Sequence, residues 1–228
     1  MMPAQTRPLG QLVTSLPLGI VPDLRPLPGR YVSLEPLSIE RHAQSLYEHS
    51  IGNDESWDYL AGGPFASREQ FLNWLQSKPA ERDPWFYAFV KNGTREALGM
   101  GAFMRSDKTN GVIEIGHIWM SAAMQRTRES TESIYLMMRH VFDDLGMRRL
   151  EWKCNSLNEP SCIAAERYGF TYEGTFRQHM ISKGRNRDTA WYAMLDSEWP
   201  KMKTGFETWL SENNFDASGQ QKAKLRLT

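Results

Sequence analysis

Two periodicities divide this chain. Residues 31–35 alternate, with Tyr31, Ser33 and Glu35 on one side and Val32 and Leu34 on the other, which predicts a strand. Segments 86–90, 97–104 and 112–120, separated by Asn92-Gly93 and Asn110-Gly111, predict three further strands joined by turns. At 130–145 the period lengthens: Ile134, Met137, Met138, Val141, Phe142 and Leu145 form an i, i+3, i+4 stripe, and Gly146 ends it. Segments 38–50 and 67–76 also read as helices, each opened by a serine able to cap it. A strand at 149–154 and a helix at 158–168, stopped by Gly169, follow. A hairpin of 170–179 with 189–195, linked through Lys183-Gly184-Arg185, and a helix at 199–213 complete the pattern.

Strands first, then strand–helix–strand–helix–strand–strand, predict the α/β (α+β) class: one domain with a mixed sheet and helices on its faces. Six prolines (Pro3, Pro8, Pro17, Pro22, Pro26 and Pro28) make residues 1–29 an extended arm expected to wrap over that domain, which spans 30–213. Residues 214–228 are polar and expected to fray.

Charge narrows the function. The 27 basic and 27 acidic residues cancel, which argues against a general binder of nucleic acid or anionic membrane. No stretch approaches the roughly 20 apolar residues that span a bilayer, and no basic segment precedes an apolar run at the N-terminus. Cys154 and Cys162 are too few for a disulfide framework and lack zinc-ligand spacing, so two reduced thiols in a cytoplasmic protein are expected, with no metal.

Two constellations carry the chemistry. The first, Gln125-Arg126-Thr127-Arg128-Glu129-Ser130-Thr131-Glu132, sets a polar loop at a helix start, where unpaired amides and partial positive charge suit a pyrophosphate. Arg126 and Arg128 add guanidinium donors. The second runs Asn155-Ser156-Leu157-Asn158-Glu159-Pro160-Ser161 into a helix ending Tyr168-Gly169-Phe170, with Glu173-Gly174 beyond. Here the chain resembles the GNAT superfamily of N-acetyltransferases, closest to its RimJ/RimL-like branch. The resemblance spans about residues 29 to 199 and rests on Asn158-x-x-Ser161, Gly169-Phe170 and Glu173-Gly174 in order, at the right distance from Thr131-Glu132.

That resemblance implies a GNAT fold with a mostly antiparallel central sheet, and acetyl-CoA as co-substrate for acetylation of an amine, on a protein N-terminus or a small molecule. It implies that Ile118, Trp119 and Met120 border the pantetheine arm. The pyrophosphate would meet the amides of Arg126, Thr127, Arg128, Glu129, Ser130 and Thr131, and Asn158 and Ser161 would flank the thioester. The chain departs from the family at Arg126 and Arg128, where the branch has glycines, and at Ala165, where many relatives carry an acidic tyrosine. An arginine backbone is expected to present its amide there if φ stays negative. With no tyrosine at 165, Ser161 or a water is left to protonate the leaving thiolate. A non-catalytic acyl-CoA-binding module on the same fold is the alternative that these departures raise.

Amine attack needs a proton acceptor. Glu114 and His117 lie three apart on one predicted strand, so they point to opposite faces unless a bulge intervenes. Glu114 matches an acidic position of the branch and is the candidate base; His117 occupies an aromatic position. Trp57, Tyr59, Trp74, Trp85 and Phe86 would either shape the acceptor pocket or fill the core. The polar and basic segments 176–179 and 183–188 suit an acidic acceptor or a solvated hairpin. The arm and exposed aromatics would support a homodimer.

Overall fold

Eight strands form one sheet in the order β1-β2-β3-β4-β5-β6-β8-β7. The strands are β1 (Leu27–Pro28), β2 (Val32–Pro36), β3 (Trp85–Lys91), β4 (Ala97–Asp107), β5 (Val112–Met120), β6 (Arg149–Asn155), β7 (Thr171–Ser182) and β8 (Arg185–Leu195). Only β5 and β6 are parallel; every other neighbouring pair is antiparallel. The structure is a computed structural model that describes residues 7–14, 20–80 and 83–227. Among the described residues five α-helices accompany the sheet: α1 (Ile39–Ser50), α2 (Arg68–Gln76), α3 (Arg128–Arg139), α4 (Glu159–Arg167) and α5 (Trp199–Trp209).

The caps follow the residue types. Ser38 and Ser67 accept from the amides of Arg41 and Gln70, so α1 and α2 start where the serines predict. Helix α3 starts earlier than its apolar stripe: Thr127 caps it by accepting from the Ser130 amide, which puts Arg128 and Glu129 in its first turn. At its far end the helix widens, and the Leu145 amide reaches back five residues to the His140 carbonyl at 3.0 Å.

Two apolar cores lie on opposite faces of the sheet. On the back, α3 and α5 pack with Ile113, Ile115, Leu150 and Trp152. On the front, α1 and α2 bring Leu46, Phe71 and Leu75 onto Ala88, Met100 and Ala102, with Trp57 wedged among them. The sheet residues of this front core come from β3, β4 and β5 alone, so it stops at β5.

The ends of the chain are held by packing. In the arm, β1 pairs with β2, Leu27 is buried, and Arg25 meets Asp144 at 2.7 Å. The Glu132 carboxylate accepts from the amides of Arg30, Tyr31 and Val32 at 2.7, 2.6 and 2.9 Å. Gly29 permits that approach, because a Cβ there would lie 2.8 Å from Glu132 Cδ. Residues 1–6 and 15–19 of the arm lie outside the described residues. The expected fraying beyond Asn213 is corrected: Phe215 is buried edge-on to Trp209 at 5.0 Å, and Trp209 Nε1 donates to the Ala223 carbonyl at 3.0 Å. A few apolar anchors outweigh the segment's polar composition.

The hairpin β7–β8 is longer than its pattern predicts. Lys183 and Gly184 both adopt positive φ (50° and 73°), forming a two-residue turn that matches strand twist and carries pairing out to Ser182↔Arg185.

Candidate active site

The one parallel pair in the sheet is also where it opens. β5 and β6 are in register from Val112↔Arg149 to Ile115↔Trp152 and no further. Beyond that point β6 stays with β8 as far as Asn155↔Thr189, while β5 stays with β4 to Met120↔Gly99. The strands therefore diverge, and a cavity of about 460 Å³ lies at the fork.

A bulge in β5 shapes its wall. Gly116 faces Ala102 and Trp119 faces Met100, so His117 and Ile118 together oppose Gly101. His117 takes φ 51°, a left-handed conformation rarely adopted by non-glycine residues. The alternation then flips: Ile113 and Ile115 belong to the back core, whereas Trp119 belongs to the front one. With this bulge Glu114 and His117 both line the cavity. Ile118 lines it as well. The Trp119 side chain is taken up elsewhere, stacked on Trp57 at 5.0 Å and donating to Ser56 Oγ at 2.9 Å, and Met120 packs on the back core.

The loop after β5 presents amides. Among the described residues, the backbone N–H groups of Arg126, Arg128 and Glu129 meet no acceptor, at the positive end of α3. Arg126 has φ 60°, contrary to the negative φ expected of an arginine there; the backbone keeps the conformation that glycine favours, at a cost of about 1–2 kcal/mol. The Arg128 guanidinium does not turn to the loop. It lies over Tyr31 at 4.1 Å and Phe215 at 5.4 Å, which leaves its amide as the group facing outward. Ser130 Oγ donates to the Thr127 carbonyl at 2.7 Å, and Thr131 accepts from Arg167 at 3.2 Å, so these side chains brace the turn. This set of amides fits a diphosphate without requiring a side-chain cation.

Across the fork, Asn158 caps α4 by accepting from the Ser161 amide at 3.2 Å. Ser161 Oγ accepts from Trp152 Nε1 at 3.0 Å and is hydrogen-bonded to Cys154 as well. Both residues line the cavity. Ala165, one turn on, is fully buried. Cys154 and Cys162 are free thiols 3.6 Å apart, and burial pushes the Cys154 thiol up to about 12, so it is inert at neutral pH.

On the front side, Glu114 is buried, with both oxygens held by Arg105 at 2.9 and 2.8 Å and Oε2 held by Lys153 at 2.9 Å. Lys153 also reaches Glu151 at 2.6 Å and lies over Trp191 at 3.8 Å. The aromatic residues divide: Tyr59 lines the cavity, whereas Trp57 is buried against Phe65, Trp74 and Trp119. Arg105, Lys153 and Arg187 line the cavity too and were not singled out as site residues from sequence. For Lys153 the signal was the 151/153 alternation beside Glu114; for Arg187 it was the basic stretch after the hairpin turn.

The chain matches the acetyltransferase (GNAT) domain family over residues 32–171. A crystal structure of a GCN5-related N-acetyltransferase from Brucella melitensis superposes with a TM-score of 0.87 at 45% identity, covering 90% of this chain and 93% of that one. A probable GNAT-family acetyltransferase from Chromobacterium violaceum ATCC 12472 superposes at 0.76 with 39% identity, over 87% and 99% of the two chains. YdaF of Bacillus subtilis (strain 168), provisionally named a ribosomal N-acetyltransferase, is 25% identical over 171 residues, 73% of this chain and 90% of that protein. No described helix is long and apolar enough to cross a membrane. Forked sheet, bare amides and relatives agree: the chain belongs to the GNAT acetyltransferase family and transfers an acetyl group from acetyl-CoA.

Proposed function

We propose that the acceptor is a primary amine on a small molecule or a chain terminus, entering the fork from the face opposite α3. The observation that carries this is a strap across that entrance. Lys183, at the β7–β8 turn, donates to the carbonyls of Trp57, Gly62 and Gly63 at 2.8, 3.2 and 2.5 Å. The hairpin is thereby tied to the loop that carries Tyr59, which leaves room for a slender acceptor and favours a chain end over a side chain on a folded surface.

In this reading the amides of Arg126, Arg128 and Glu129, in a turn braced by Thr127, Ser130 and Thr131, take the pyrophosphate. The backbone of Ile118, Trp119 and Met120 borders the pantetheine, and Asn158 and Ser161 flank the thioester. Acetyl-CoA supplies the activated acyl group. The amine nitrogen bonds to the carbonyl carbon as the C–S bond breaks; Glu114 accepts the proton that the attacking nitrogen loses, and the Ser161 hydroxyl relays a solvent proton to the thiolate and ends neutral. Reduced cysteines suit a cytoplasmic setting, and the arm and exposed aromatics suit a homodimer.

Thiol release from acetyl-CoA, measured against a panel of amines and short peptides, tests the reading. Glu114→Gln should lower kcat by about 100-fold or more at unchanged acetyl-CoA KM. Full kcat in the Glu114→Gln variant would remove Glu114 from the chemistry.

A further inference from the structure

The acceptor side of the cavity holds one cation too many. Among the described residues that line it, Arg105, Lys153 and Arg187 face a single carboxylate, Glu114. Widening the count to the adjoining pairs narrows the excess to one. Glu151 is held by Arg149 and Lys153, and Glu173 by Arg149, so four cations meet three carboxylates and Arg187 is left over.

The Arg187 side chain has no hydrogen bond or ion pair among the described residues, and its Nε is buried without an acceptor. Four residues along the same strand, the indole Nε1 of Trp191, another lining residue of the cavity, is likewise buried and unpartnered among the described residues. Both side chains project from β8 into the cavity, next to His179 and Met180 of β7. Burial pulls the Arg187 guanidinium below its usual range, and the attraction of Glu114 does not make up for it. Unsatisfied buried donors cost free energy unless a ligand meets them, and a guanidinium fork meets a planar oxyanion best.

Resting on the acetyl-transfer site described above, we infer that the acceptor amine carries an anionic oxygen group, a carboxylate or phosphate, that docks on Arg187 and the indole N–H of Trp191. The surplus charge also favours the neutral amine over the ammonium as the bound form, which is the form that attacks.

The test compares acceptors that differ only in charge. Glycine, aspartate and 2-aminoethylphosphonate are set against glycinamide, asparagine amide and ethanolamine, and the peptide amide Ser-Asp-Ala against Ser-Asn-Ala. The small acids or the acidic peptide should show kcat/KM at least tenfold above their neutral partners, and whichever pair shows it identifies the source of the anion. Arg187→Met, which keeps the apolar stem, should erase the preference through the acceptor KM while acetyl-CoA KM holds; Arg187→Lys should restore part of it. In parallel, calorimetry with CoA-loaded protein should show N-acetylaspartate or N-acetylated Ser-Asp-Ala amide binding to wild type and about tenfold more weakly to Arg187→Met. Equal use of neutral and anionic acceptors, or binding and preference unchanged in Arg187→Met, overturns the inference and leaves acetyl transfer standing. Turnover absent with every amine, alongside Arg187-dependent binding of the acetylated acids, would instead fault the transferase reading.

Discussion

Glu35 and Glu114 look alike by every local measure. Each is a carboxylate buried on the front face of the sheet, and each is paired with two basic side chains: Glu35 with Arg41 and Arg95, Glu114 with Arg105 and Lys153. His42 adds a third partner to Glu35 at 3.3 Å. What separates them is the neighbouring surface. Glu35 lies in the half that α1 covers, at the edge of the front aromatic core, whereas Glu114 lies where that core has ended and the strands diverge. Burial and pairing therefore do not set the proposed base apart from a structural carboxylate; the gap beside it does.

Several measurements break or sharpen that contrast. The largest effect belongs to the covered half: Trp57→Ala should cost about 3–5 kcal/mol of unfolding free energy, read from urea titration, because its ring is buried against three other aromatics. A loss under about 1 kcal/mol would show that the front core is not the scaffold of the site.

Next, the two carboxylates should part company in kinetics. Set beside the roughly 100-fold kcat loss for Glu114→Gln, about 2.7 kcal/mol, Glu35→Gln should stay within about twofold of wild type. Equal losses would make both structural.

Glu35→Gln should act on stability instead, by about 1–2 kcal/mol at pH 7. Burial pushes the Glu35 carboxyl up, but Arg95, His42 and Arg41 together outweigh it and hold it below the usual carboxylate range. The unfolded chain then binds that proton more readily, so the contribution is complete above the unfolded value of about 4.3 and fades as pH falls through the folded one. A wild-type-minus-variant difference that persisted undiminished at pH 3 would contradict this.

Smallest is Arg126→Gly, which relieves the left-handed backbone and should raise stability by no more than about 1 kcal/mol while leaving acetyl-CoA affinity intact. Arg126→Val, β-branched and ill-suited to that conformation, should weaken both.

Much of this was legible in the sequence where local chemistry decides the outcome. Ser38 and Ser67 declare their helices and Gly111 and Gly184 their turns, while Asn158 and Ser161, singled out by the family resemblance, line the cavity at the fork. What stayed hidden depends on residues far apart in the chain. That Glu114 and His117 share a cavity follows from a bulge opposite Gly101, which alternation alone does not reveal. The Arg128 side chain reads as a phosphate ligand until Tyr31 and Phe215 are seen to claim it. Arg187 looks like one charge in a solvated hairpin until β8 carries it inward beside Trp191.

In the proposed function a diphosphate seats on three bare amides at the start of α3, with the thioester lying in the fork. A structure of the acetyl-CoA complex tests it most directly. Phosphate oxygens about 2.7–3.2 Å from the nitrogens of Arg126, Arg128 and Glu129, with the sulfur beside Asn158 and Ser161, are the predicted result. Coenzyme bound with its diphosphate away from those amides, or with its sulfur outside the gap between β5 and β6, would contradict it.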